Sequence, residues 1–248
     1  MIRKAAKALM HGSDEEWRAL ARERRVLSNI LAWPGKQDPW TEEAFYATGV
    51  QDWEDFRRHW THYWPELGGT CVEIGVGAGR MTRALAADYE RVVGLDVSPD
   101  MIARARRVTP EHVEFHQVDS PTIPMSTGST DAAFSVHVFQ HLDDWDAVRR
   151  YLSEVRRVLR PGGSMMVHIT LASRSAPLLR RLRIELGLWR SRRGVRRGRT
   201  HTLVRMKLYR MEDVQALLDQ LGFAAVELRV FPVRSNGYVH HFWLARAP

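Results

Sequence analysis

Three carboxylates, a glycine loop and two histidines are the residues of this chain whose order suits chemistry. Glu73 stands two positions before Gly75-Val76-Gly77-Ala78-Gly79, in the run Val72-Glu73-Ile74. Glycines at a strand-to-helix turn let the backbone bend sharply, and let a ligand approach where a Cβ would collide. Asp96 closes Val93-Gly94-Leu95 about 20 residues further on, where a carboxylate can accept both hydroxyls of a ribose. Asp119-Ser120 ends a third apolar run, where a carboxylate can take a hydrogen bond from an adenine amino group. His137 and His141 follow a fourth run. A histidine there can accept a proton near neutrality.

The glycine spacing narrows the ligand. A dinucleotide loop reads G-x-G-x-x-G and would put its third glycine at position 80. That position is Arg80, and the spacing here is G-x-G-x-G. A pyrophosphate seated on the following helix, as in nicotinamide or flavin enzymes, is therefore not the expected ligand.

These residues meet only if alternating strands and helices bring their ends together. Strands are expected at Thr70–Ile74, Arg91–Asp96, 113–118, 131–136 and 164–169, then at 225–231 and 238–245. Helices are expected at 80–88, from Ser98-Pro99-Asp100, at 145–159 and at 211–221. Such alternation predicts βαβ units and a largely parallel α/β sheet. Ligands on open sheets of this kind sit beyond the carboxyl ends of the strands, where all three acids fall. Residues 1–69 read differently. A helix is expected from Ser13, with Asp14, Glu15 and Glu16 in its first turn, to about Leu31. A second is expected over 41–64, broken near Gly49 and stopped at Pro65, with Leu67-Gly68-Gly69 as the hinge.

Residues 70 to about 170 resemble the class I, Rossmann-like S-adenosylmethionine-dependent methyltransferases, in their small-molecule, lipid and sugar branch. The resemblance implies a mostly parallel sheet with the last strand antiparallel, flanked by helices, and an N-terminal helical lid over residues 1–69. It implies S-adenosylmethionine as cofactor and S-adenosylhomocysteine as product. Glu73 with Gly75, Val76, Gly77 and Gly79 would hold the methionine part, and Asp96 the ribose. Val97 and Met101 would cover the adenine faces, Asp119 and Ser120 its edge. Val136 and His137 would line the floor beneath the sulfonium. Leu159-Arg160-Pro161-Gly162-Gly163 resembles the family's turn before strand five.

The acceptor is less legible. The loop His137-Val138-Phe139-Gln140-His141-Leu142-Asp143-Asp144 lacks the Asn/Asp-Pro-Pro-aromatic signature of amino-directed DNA methyltransferases and the paired glutamates of protein arginine methyltransferases. The one cysteine, Cys71, lies in strand one and cannot serve cytosine-C5 chemistry. Phe139-Gln140-His141 is similar to a Phe-Glu-His loop of lipid cyclopropane synthases, with glutamine in place of the acid. His141 is the candidate base for a hydroxyl acceptor, with packing on the cofactor as the alternative. Asp143 and Asp144 either join His141 around a divalent ion or open the helix at Trp145. No metal is assigned. Six tryptophans (Trp17, Trp33, Trp40, Trp53, Trp60, Trp64) precede residue 65, and at most two are expected near substrate. The leading reading is O-methylation of a small or medium-sized hydroxyl compound, with a saccharide or glycolipid first. The alternatives are an RNA methyltransferase, a lipid or fatty-acid methyltransferase, and a binding module without turnover.

Charge sets the remaining partners. The chain of 248 residues carries +8, but residues 174–210 hold thirteen Lys/Arg against Glu185. A basic insert is thus expected at about 172–208. Within it Leu178, Leu179, Leu182, Leu186 and Trp189 share a helical face, which suits a solvated lid, a membrane surface or an acidic partner. The run Arg190–Arg199 is where nucleic acid would bind. A lone cysteine excludes an intrachain disulfide framework. With no apolar run near bilayer length and no leader pattern at the start, the expected location is the cytoplasm.

Overall fold

The computed structural model describes residues 13–23, 25–31, 38–172 and 206–248. Two short helices, α1 (Ser13–Ala21) and α2 (Val26–Ile30), precede the long α3 (Glu42–Thr61). Alternation then begins with β1 (Thr70–Ile74), α4 (Thr82–Leu85), β2 (Arg91–Asp96), α5 (Pro99–Ala105), β3 (Val113–Gln117) and β4 (Thr130–Ser135). A 3-10 turn at Phe139–His141 leads to α6 (Trp145–Val158) and β5 (Leu159–His168). The chain closes with α7 (Met211–Gln220), β6 (Ala224–Pro232) and β7 (Val239–Arg246).

The seven strands form one sheet in the order β3-β2-β1-β4-β5-β7-β6. β1 to β5 run parallel, and β7 lies antiparallel to both β5 and β6. This is the mostly parallel, Rossmann-like sheet that the sequence resemblance implies, with its order reversing between β1 and β4. Successive side chains alternate faces. Val72, Ile74, Val93 and Leu95 therefore pack beneath α6 and α7, while Cys71, Val92, Phe134 and Met166 meet α3 and α4. The caps follow their chemistry. Ser98 Oγ accepts from Met101 N–H at 3.3 Å ahead of Pro99, and Asp144 Oδ1 accepts from Ala147 N–H at 2.7 Å. Asp144 therefore opens α6.

Several boundaries differ from expectation. The first helix ends at Ala21 and α2 is separate. α4 is a single turn, because the glycine loop takes up the preceding residues. β5 begins at Leu159, directly after α6, and carries the Arg160-Pro161-Gly162-Gly163 turn within it. α3 does not break at Gly49. A Cβ there would come within 2.3 Å of the Arg80 carbonyl oxygen, so the glycine lets the helix lie against the loop. Arg190–Arg199, the 178–189 stripe and Trp33 lie outside the described residues. No described helix is long and apolar enough to cross a membrane.

Candidate active site

The cavity of about 670 Å³ opens where the sheet order reverses, at the carboxyl ends of β1, β2 and β4. At its β1–β2 end the glycine loop does two separate jobs. Gly75 has φ +77°, and a Cβ there would strike Val138 Cγ2 at 2.2 Å; Gly77 has φ +52°, and its missing Cβ would point into open space. Gly79 serves packing, since a Cβ would reach Ala105 Cα at 2.9 Å in α5.

Two buried carboxylates flank this loop. Asp96 accepts from Gly77 N–H and from Ser98 N–H, both at 2.8 Å, one bond on each oxygen. Its remaining lone pairs can accept ligand hydroxyls. Burial raises its pKa to about 6 against the pull of those backbone donors. Glu73 is 2% exposed, and its Oε2 has no hydrogen-bond partner among the described residues. Burial raises its pKa to about 8. An orphaned buried carboxylate oxygen on a ligand wall is a place for a cation.

The remaining expected residues divide. Val76, Val97, Met101, Val136, His137 and His141 all line the cavity with Glu73, Gly75, Gly77 and Asp96. From the end of β3 it is Val118 that reaches the wall. Asp119 is exposed and pairs with Arg18, which also donates to Val97 O at 2.9 Å. The Arg18 guanidinium on α1 holds that carboxylate outside the pocket. The neighbouring Ser120 Oγ accepts from Thr122 N–H. His137 adopts φ +62° at the end of β4, a left-handed conformation rare outside glycine and costly enough to need support from its surroundings. Burial pushes its imidazole well below the usual range. His141 sits on the 3-10 turn, 3.0 Å from Gln140 Nε2, with the Trp17 ring edge-on at 5.1 Å.

The N-terminal helices reach the same cavity through Asp14, Trp17, Asn29, Ile30, Leu31 and Phe45. Among the described residues, Trp17 is the tryptophan that lines it. Trp53 and Trp60 bind α3 to the sheet side instead, donating to Asp88 at 2.7 Å and to Ser164 Oγ at 2.9 Å. Two features escaped the sequence reading. Arg80 forms a buried ion pair with Asp52 of α3 at 2.6 Å, and Asp52 also accepts from Ser235 N–H and Oγ. His168 and His240 bring two more imidazoles beside His137. His168 was within reach of the strand-end rule that found Asp96, since it closes β5. His240 was not, because it lies at the start of β7, where a rule about strand ends does not look.

Residues 72–167 match a family described as a methyltransferase domain. Over these residues the chain is similar to methyltransferase domains. The chain is 36% identical over 103 residues to a 2-methyl-6-phytyl-1,4-hydroquinone methyltransferase of Synechocystis, covering 40% of this chain and 31% of that protein. It is 25% identical over 178 residues to an O-methyltransferase of Penicillium expansum, covering 69% and 57%. It thus spans less than two thirds of either relative. A phosphoethanolamine N-methyltransferase of Haemonchus contortus, solved with S-adenosyl-L-methionine, shares the fold at TM-score 0.62 and 16% identity over 94% of this chain and 60% of that one. The methyltransferase domain suits that cofactor on its own geometry. The unpartnered Glu73 oxygen could take an ammonium, the free lone pairs of Asp96 could take hydroxyls, and a Cβ at Gly77 would point into open space.

Proposed function

We propose that the chain transfers a methyl group from S-adenosylmethionine to a hydroxyl of a small or medium-sized acceptor, with His141 as the base. The observation that carries this reading is the position of His141, on a cavity wall shared with Glu73 and Asp96 and backed by Trp17. The cofactor supplies an electrophilic methyl on a sulfonium. The chain's own residues then have two tasks, to hold the acceptor oxygen in line and to remove its proton. Glu73 and the Gly75–Gly79 loop hold the methionine end, Asp96 the ribose, and Val97 and Met101 the adenine, with Val136 and His137 as floor. The helices α1 to α3 act as a cap, since Trp17, Ile30, Leu31 and Phe45 complete the wall. Those apolar faces with few polar groups favour a neutral or amphipathic acceptor, a glycolipid or saccharide with an apolar substituent. The O-methyltransferase named among the relatives supports the oxygen acceptor.

Incubation with isotope-labelled methyl donor and a panel of hydroxyl acceptors tests the reading. His141→Ala should slow methyl transfer in a single turnover by ~10²-fold or more while cofactor affinity stays within a few-fold. Weakened cofactor binding with a near-normal saturated rate would assign His141 to packing instead.

A further inference from the structure

Three imidazoles converge on the cavity at the carboxyl ends of β4 and β5. His137 follows β4, His168 is the last residue of β5, and His240 is near the start of β7. These three strands are adjacent in the sheet, and β7 runs the opposite way, so its beginning meets the ends of the other two. Ile169 N–H to His241 O at 3.1 Å fixes the two backbones there. The ring centroids stand 5.0, 4.8 and 4.8 Å apart, each pair close to edge-on.

A core histidine kept for packing has partners for both nitrogens or turns one to water. His168 does neither. It is 0% exposed, and its Nδ1 has no partner among the described residues. Its Nε2 lies 3.1 Å from His240 Nδ1. That spacing is close to the roughly 3.3 Å edge of a tetrahedron whose metal–nitrogen bonds are about 2.0–2.1 Å. One nitrogen from each of the three rings lies within 4.8 Å of the others, so closing the set requires a small turn of His137. Asn236 sits against the far nitrogen of His240, with Nδ2 at 3.3 Å and Oδ1 at 3.4 Å, so its amide oxygen can accept from that ring as outer-shell groups on a ligating histidine do.

We propose that His137, His168 and His240 form a binding site for a divalent ion of the zinc class, with its fourth position open to the cavity. Imidazole nitrogens suit zinc, cobalt, nickel and copper rather than magnesium or calcium, which take oxygen. His137 and His240 both line the cavity wall, so the position left by three protein ligands faces it. Three neutral ligands leave the ion's charge uncompensated. The open position therefore suits a hydroxide or an acceptor oxygen. This site is distinct from the grouping of His141 with Asp143 and Asp144, since Asp144 caps α6.

The test uses the full chain, stripped by chelator dialysis and titrated with Zn(II) alone and with Co(II) alone. One equivalent of each should bind, and cobalt should show the intense visible bands of a four-coordinate site. His168→Ala and His240→Ala should each weaken uptake by more than the ~10- to 100-fold typical of losing an outer-shell partner, and Asn236→Ala should fall within that range. His141→Ala should bind the ion as the wild type does. Retained S-adenosylhomocysteine binding and an unchanged circular-dichroism spectrum show that a variant is folded. Absence of stoichiometric uptake by the wild type would overturn the proposal, as would uptake that survives both His168→Ala and His240→Ala. Loss of uptake in His141→Ala would overturn it too, by moving the ion to the neighbouring loop. None of these readouts depends on turnover, so the proposal stands or falls separately from the role of His141.

Discussion

The two ends of the cavity are built by different means. At the β1–β2 end the wall is backbone: bare glycine positions, N–H groups aimed at Asp96, and two carboxylates whose burial works against their charge. At the β4–β5–β7 end the wall is side chain: imidazoles, an asparagine and the rings of Trp17 and Phe45. A wall of backbone fixes one ligand, because moving it means moving the sheet. A wall of side chains from strand ends and from α1–α3 can change with the acceptor while the fold stays. Arg80 joins the two, since it leaves the glycine loop to pair with Asp52, which in turn holds Ser235 just before β7.

That joint is where the comparison breaks most sharply. Asp52→Ala would leave the Arg80 guanidinium buried without its partner, a change that costs about 3–5 kcal/mol. Urea unfolding should show it as a lowered midpoint. A loss under about 1 kcal/mol would mean that α3 and the loop are not held together by this pair.

A smaller effect sharpens the account of the backbone end. The Glu73 pKa is raised by burial from 4.5 to about 8. Between those values the folded carboxyl keeps its proton while the unfolded one has released it. The unfolded state then binds fewer protons, so stability is greatest below about 4.5 and falls as pH rises through about 8. The contribution is on the order of a few kcal/mol. Glu73→Gln should remove that slope, so unfolding curves of variant and wild type should diverge as pH rises, the variant being more stable at the alkaline end. Parallel curves across that range would contradict the burial of an uncompensated carboxyl.

How much of this was legible depended on whether a feature is local in the chain. The glycine loop, Glu73 and Asp96 lie within one βαβ unit, and their spacing alone points to a ligand without phosphate. The sheet was legible because its strands alternate with helices over most of the domain. The Arg18–Asp119 pair was not, since it joins residues 101 positions apart, and the first-turn acids that mark the start of α1 do not say where that helix packs. His240 was hidden because it stands at the start of its strand, while the acids and histidines expected at the site stand where strands end. Gly49 was misread as a helix break when its role is contact with Arg80, which only the packed structure reveals.

The central claim is that the β1–β2 end holds S-adenosylmethionine through Asp96. Calorimetric titration of S-adenosylhomocysteine into the wild type and Asp96→Ala tests it most directly. The wild type should bind, and the variant should lose about 1.5–3 kcal/mol, on the order of ten- to a hundredfold, because both ribose hydroxyls lose a charged acceptor. NADH should not compete. Equal affinity in the two proteins would refute the ribose site, and competition by NADH at similar strength would contradict the reading of the glycine loop.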